Sequence, residues 1–243
     1  MTAGAAMRER LVALSLTLFG PLDGVPLAVR ARRWGLPLIL SIAAGLFAAG
    51  ALATRLDTRS TALAELEQSG ELKDATDRDV NDKIDGARRM ASVQAVARAL
   101  VLPPASALAL MLALMLAAKL AGGKAPAGAA WAAACAALVP GIVHSLLAGA
   151  AALRRTAVTP QEVRGLVEAS AAPLVHGGGR VASLVVGQLD AFTLWSAALL
   201  ALGLAAASKL PRARSFAAAL VGLACYAMLA VTASAGRGGP GAG

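Results

Sequence analysis

Charge, aromatic rings and thiols are all scarce in this chain of 243 residues: charged side chains make up 15%, aromatic ones 3%, and there are two cysteines and two histidines. A soluble domain is about 25% charged and about 45–50% apolar, whereas 58% of this chain is hydrophobic. So little polar surface excludes a water-soluble globule, and so apolar a composition excludes intrinsic disorder. Cys135 and Cys225 both lie inside apolar runs, which excludes a disulfide framework and a thiol-rich metal site. The net charge of +9 does not point to nucleic acid, because no polar domain carries it. A membrane accounts for it instead.

What the chain has in quantity is long apolar runs. A membrane-crossing helix needs about 20 mostly apolar residues, since about 1.5 Å of rise per residue must cover about 30 Å of hydrocarbon. Runs at about 36–54, 99–118, 126–153, 191–208 and 215–235 meet that requirement. The expected fold is all-α, a polytopic transmembrane helix bundle of about five spans with interfacial amphipathic helices. Four or six spans stay open, because residues 181–189 are apolar but short. The runs are built from Ala, Leu and Gly rather than Phe or Ile, with small residues at near-helical spacing at Gly45 and Gly50 and at Gly141 and Gly149. Small residues let membrane helices approach closely and pack by van der Waals contact.

Orientation follows from charge. With five spans and the N-terminus inside, the inside segments carry Arg8, Arg10, Arg30, Arg32, Arg33, Lys119, Lys124, Lys209, Arg212 and Arg214, against the acids Glu9 and Asp23. The raw count of bases does not decide between the two sides, but their density in short turns does. The expectation is a cytoplasmic N-terminus and an outside C-terminus. Residues 8–33 begin like a signal peptide, yet Pro21, Asp23 and Pro26 interrupt the pattern. Residues 1–33 therefore read as a cytoplasmic amphipathic segment whose arginines meet anionic lipid head groups. Residues 34–235 form the membrane domain, with an outside helical loop at 55–98, and 236–243 read as a flexible tail.

The loops offer little chemistry. Ser60 is a good helix cap, followed by a weak apolar stripe at Leu63, Leu66 and Leu72. Asp77-x-Asp79-x-Asn81 starts like a calcium loop, but Asp82 and Arg88 stand where such a loop needs Gly and Glu. The segment reads as a solvated helical hairpin. Thr159-Pro160-Gln161-Glu162 is a helix start, with Pro at the first helical position. His176 with Gly177, Gly178 and Gly179 matches an oxyanion loop only in letters, because no Gly-x-Ser-x-Gly turn accompanies it. It reads as an elbow between interfacial helices.

Candidate functional residues lie at the spans. His144 sits in the third span, four residues after Pro140. A neutral histidine there hydrogen-bonds a neighbouring helix or relays a proton, and Pro140 is expected to kink the span. Asp190, Phe192 and Trp195 open the fourth span, a carboxylate at the helix start and aromatics at the interface. Trp34 stands ahead of the first span. No nucleophile–base pair, metal set or cofactor fingerprint can be assembled, so the reading is non-enzymatic and without cofactor.

Several short motifs carry a family resemblance. Gln188-Leu189-Asp190-Ala191-Phe192-Thr193-Leu194-Trp195 with Lys209 and a last apolar helix, Arg33-Trp34-Gly35-Leu36-Pro37 after Pro21, Lys119-Leu120-Ala121-Gly122-Gly123, and Pro140 together resemble the bacterial branch of the Yip family. The resemblance runs from about residue 19 to 234. It implies five spans, a cytoplasmic N-terminus, a far-side C-terminus and residence in a bacterial inner membrane. Eukaryotic members are Ypt/Rab-GTPase-interacting proteins, while the bacterial branch brings no established activity. The expected function is shaping the bilayer or scaffolding other membrane proteins as an accessory subunit. The alternative is a transporter or channel subunit moving a small solute or ion. Expected partners are a bilayer with anionic head groups and another integral membrane protein or a second copy of the chain, not nucleic acid.

Overall fold

The computed structural model describes residues 3–31, 34–59, 62–63, 66–67, 70, 76–159, 162–165, 167, 191–208, 210–211 and 213–221. Among these, all regular structure is helical apart from one isolated parallel bridge between Leu56 and Val158. The helices are α1 (Ala3–Phe19), α2 (Pro21–Arg30), α3 (Gly35–Arg55), α4 (Asp77–Leu120), α5 (Ala127–Ala136), α6 (Val139–Leu153) and α7 (Ala191–Ser208). Residues 213–221 are also helical. Four candidate spans result: α3, α4, α5 with α6 taken together, and α7. Four of the five expected runs thus coincide with a candidate span, and the fifth, 215–235, lies mostly outside the described residues.

The chain forms two compact units. The first comprises residues 1–41, 104–141 and 169–243, and the second comprises 42–103 and 142–168.

In the first unit, residues expected to form one surface segment make two helices instead. Gly20 separates α1 from α2, and Pro21 opens α2, where its missing N–H removes no helical hydrogen bond. Asp23 in the first turn and Arg30 in the last complement the helix dipole. The amphipathic helix is α2 alone. Its buried face, Gly24, Val25, Ala28 and Val29, packs against α1, α5 and α7, so protein rather than lipid covers it. At Gly24 the approach is so close that a Cβ would run into the Leu16 carbonyl carbon and the Thr17 nitrogen. Helix α5 is alanine on nearly every side, and its residues 132–136 are all buried. A Cβ on Gly203 of α7 would stand 2.6 Å from the Ala133 Cβ and 3.7 Å from Val25 Cγ1. Small side chains let three helix backbones meet here, where lipid tails as apolar as leucine supply no hydrophobic drive between helices.

The second unit is tied by caps and loop hydrogen bonds. Thr76 and Asp79 form a reciprocal capping box at the start of α4: the Thr76 N–H and hydroxyl donate to Asp79 Oδ2 at 2.9 and 2.6 Å, and the Asp79 N–H donates to Thr76 Oγ1 at 3.3 Å. The calcium-like Asp77-x-Asp79-x-Asn81 is therefore the first turn of a helix. With 44 residues, α4 extends from 77 to 120, so residues 77–98, expected as part of a separate loop, belong to the same helix as the second span. Helix α3 reaches α4 through Gly45, where a Cβ would lie 3.2 Å from the Ala99 Cβ, and α6 through Gly149, against Phe47 and Ala48. Past α3, the Asp57 N–H donates to the Val158 carbonyl at 2.9 Å and the Val158 N–H to the Arg55 carbonyl at 2.8 Å. Arg88 Nη2 donates to the Ala53 carbonyl at 3.5 Å, one of the acceptors a helix C-terminus leaves unpaired.

The third span is interrupted next to its proline. The helix breaks at Ala137–Leu138, inside the turn where Pro140, having no N–H, leaves the Ala136 carbonyl without its helical donor.

Candidate functional site

The expected site residues do not converge on one place. Trp34, 43% exposed, meets Trp131 edge to face, with ring centroids 6.0 Å apart and planes at 73°, the T-shaped arrangement favoured by the ring quadrupoles. Trp131 was not singled out by sequence. The available signal was a lone indole in an alanine run five residues past Pro126, where a membrane interface favours tryptophan. Pro140 is buried in the first turn of α6, and His144 is half-buried further along the same helix, in the second unit. Phe192 and Trp195 are half-buried at the start of α7. Asp190, His176 with its three glycines, Ser60 and Cys225 lie outside the described residues. Among the described residues, no group of three His, Cys, Asp or Glu side chains converges.

Two structural features stand out instead, both in the first unit. The first is the α1–α2 hairpin. Its tip presents Phe19, 89% exposed, and Leu22, 59% exposed, with Leu11, Val12 and Leu27 also outward. Its charged side chains Arg8, Glu9 and Arg30 are exposed and sit far from the tip, while Asp23, also exposed, stands in the first turn of α2 beside it. With 17 and 10 residues, the helices are about 25 and 15 Å long, too short to cross about 30 Å of hydrocarbon.

The second feature is a pair of basic turns. Helix α4 ends with the Gly122 N–H bonded to the Lys119 carbonyl at 3.1 Å and the Gly123 N–H bonded to the Ala118 carbonyl at 2.8 Å. Gly122 has φ +79°, so this is a Schellman closure with glycine at the left-handed position. The next glycine serves a different purpose. A Cβ on Gly123 would stand 3.0–3.2 Å from three carbons of Leu210, so its absence seats Leu210 against the turn at the end of α4. Lys119, Lys124 and Arg214 are exposed around this contact.

Glu162 starts a 3-10 turn, Glu162–Gly165, where the sequence pattern predicts an α-helix. Its carboxylate accepts the Thr159 N–H at 2.8 Å and hydroxyl at 3.0 Å, and Arg155 lies 3.8 Å away. These contacts, the backbone hydrogen bond foremost, hold the Glu162 carboxyl below its ordinary pKa.

Charge divides sharply between the units. The residues of the first include twelve bases and three acids, and those of the second eleven of each. The whole net charge of +9 therefore belongs to the first unit.

Apolar helices of spanning length, packed through glycine and alanine and joined by basic turns, define a polytopic α-helical membrane protein. A family model, the Yip1 domain, matches residues 17–235, and the chain belongs to that family. Searches of curated proteins and of solved structures each found no match.

Proposed function

We propose that the protein is a non-enzymatic membrane protein of a bacterial inner membrane, with its N-terminus cytoplasmic and its C-terminus outside, that shapes the bilayer. The observation that carries this reading is the α1–α2 hairpin, an apolar-tipped pair of helices too short to span. From Arg8 to the tip, and from the tip to Arg30, the distance along each helix is about 15 Å, half the hydrocarbon thickness. The hairpin thus suits insertion into one leaflet, tip inward, with Arg8 and Arg30 at the head groups and Asp23 held at the positive end of the α2 dipole. Its seat supports the same depth. Val25 packs near Gly203 and Ala133, which lie five and six residues from the ends of α7 and α5 that face the basic turns, about 8–9 Å. Extra cross-section in one leaflet but not the other bends a bilayer. The partner on this reading is an anionic lipid face, met by the arginines of the N-terminal segment.

The test is reconstitution of the full chain into vesicles imaged by cryo-electron microscopy. Wild-type protein produces tubes or small, highly curved vesicles. The double variant Phe19→Asp/Leu22→Asp, at exposed positions that leave the packed face intact, removes that effect. Vesicles that keep their shape with wild-type protein, while solute flux depends on His144, would replace bilayer shaping by the transport reading.

A further inference from the structure

We propose that the paired basic turns of the first unit hold the head group of a multiply charged anionic phospholipid, with Lys119, Lys124 and Arg214 as its contacts. The argument begins with uncompensated charge. Residues 104–141 and 191–221 contain five bases, Lys119, Lys124, Lys209, Arg212 and Arg214, and no acid. No carboxylate on these stretches can neutralise them, so their counter-charge must come from elsewhere. Concentrating like charges costs energy unless an anion is recruited.

The concentration is built into the backbone. The Schellman closure places Lys119 in the last turn of α4 and Lys124 just beyond it, and the missing Cβ of Gly123 brings Leu210, between Lys209 and Pro211, onto that turn. Arg214 follows at the first turn of the next helix. A topology signal needs bases in each turn but does not need the two turns to touch. The contact between them is what makes a multivalent surface.

The neighbours of these cations identify the source of the anion. Leu116, Leu120 and Phe216 are 59%, 76% and 51% exposed and flank Lys119 and Arg214 along the chain. Leu116 and Leu120 lie on a candidate span and Phe216 on the helical residues 213–221, and apolar side chains of this size exposed on the helices of a membrane protein meet acyl chains. A phosphate presented here therefore belongs to a lipid whose tails cover these residues. Two or more negative charges on one head group match three cations better than a singly charged one.

This inference rests on the membrane placement proposed above but not on bilayer shaping. The test uses the full chain in phosphatidylcholine vesicles containing a minor fraction of cardiolipin or of phosphatidylglycerol, followed by mild extraction and mass spectrometry of retained lipid. Wild-type protein retains cardiolipin over phosphatidylglycerol. With polybasic contacts worth about 1 kcal/mol per base near an anionic surface, Lys119→Gln/Lys124→Gln/Arg214→Gln lowers cardiolipin retention tenfold or more. Gly123→Leu, which keeps every charge but removes the seat of Leu210, also lowers it. Removing three exposed bases of the second unit, Arg59→Gln/Arg78→Gln/Arg89→Gln, leaves retention unchanged, and Phe19→Asp/Leu22→Asp abolishes vesicle deformation while retention persists. Undiminished retention in the first triple variant would overturn the proposal. So would an equal loss in the second-unit control, which would show only bulk charge. Displacement of cardiolipin by inorganic pyrophosphate would reassign the surface to a soluble anion.

Discussion

The two units of this protein both pack helices through glycine, but they differ in charge and in the hydrogen bonds added at helix ends and loops. In the first, α2 meets α1 at Gly24 and meets α5 and α7 around Gly203 and Ala133, and the unit carries the entire net charge. In the second, helix ends and loops are joined by hydrogen bonds: the Thr76–Asp79 and Thr159–Glu162 caps, Arg88 on Ala53, and the Leu56–Val158 bridge. Its bases and acids are equal in number. The difference follows from solvent. Inside hydrocarbon, contact between small side chains is the available attraction, whereas a segment in water can bond its termini through threonine and carboxylate caps.

That contrast makes the first unit sensitive to volume and the second sensitive to protonation. The largest effect is expected at Gly203. A leucine there must displace Ala133 and Val25, and overpacking of this kind costs about 3 kcal/mol. Thermal unfolding of detergent-purified Gly203→Leu should show a fall of many degrees or loss of folded material, and an unchanged midpoint would mean that α5 and α7 are not in close contact. A smaller effect belongs to the indole pair. A double-mutant cycle on Trp34→Ala and Trp131→Ala should give a coupling of about 1 kcal/mol, and simple additivity would show the rings to be energetically independent.

The smallest effect, confined to the second unit, concerns Glu162. Its folded pKa is depressed, so the cap contributes stability above the ordinary glutamate pKa of about 4.3 and loses it as pH falls through the lower folded value. Protection factors at residues 159–165, taken against the intrinsic exchange rate at each pH, should therefore fall on acidification below about pH 4, with the first unit unaffected. Thr159→Ala should raise exchange there already at neutral pH and flatten the pH response. A response that survives the substitution would place its origin outside this cap.

Hydropathy located α3, α4, α5 with α6, and α7 because insertion depends on composition over about 20 residues, and composition is local. The break in the third span was legible at Pro140, since a proline deprives the carbonyl four residues back of its donor and the interruption falls at Ala137–Leu138, within that turn. The seat of α2 was hidden. An amphipathic face at Val25, Ala28 and Val29 suits a lipid surface as well as an alanine-lined helix, and nothing in the pattern chooses between them. Lys119-Leu120-Ala121-Gly122-Gly123 is legible as a motif, yet its two glycines have separate reasons, a left-handed turn at Gly122 and an absent side chain opposite Leu210 at Gly123. Of the candidate residues, Trp34 gained a partner, Trp131, that no spacing rule connects to it.

By itself the sequence determined that this is a multipass helical membrane protein with its basic residues crowded into short turns, since hydrophobicity and charge act wherever they occur along the chain. Tertiary structure alone decided which glycines admit a neighbouring helix, that the α1–α2 hairpin rests on protein along its second helix, and that two basic turns meet. Each of these depends on van der Waals contact between residues distant in the chain, and contact at a few ångströms leaves no periodic trace in composition.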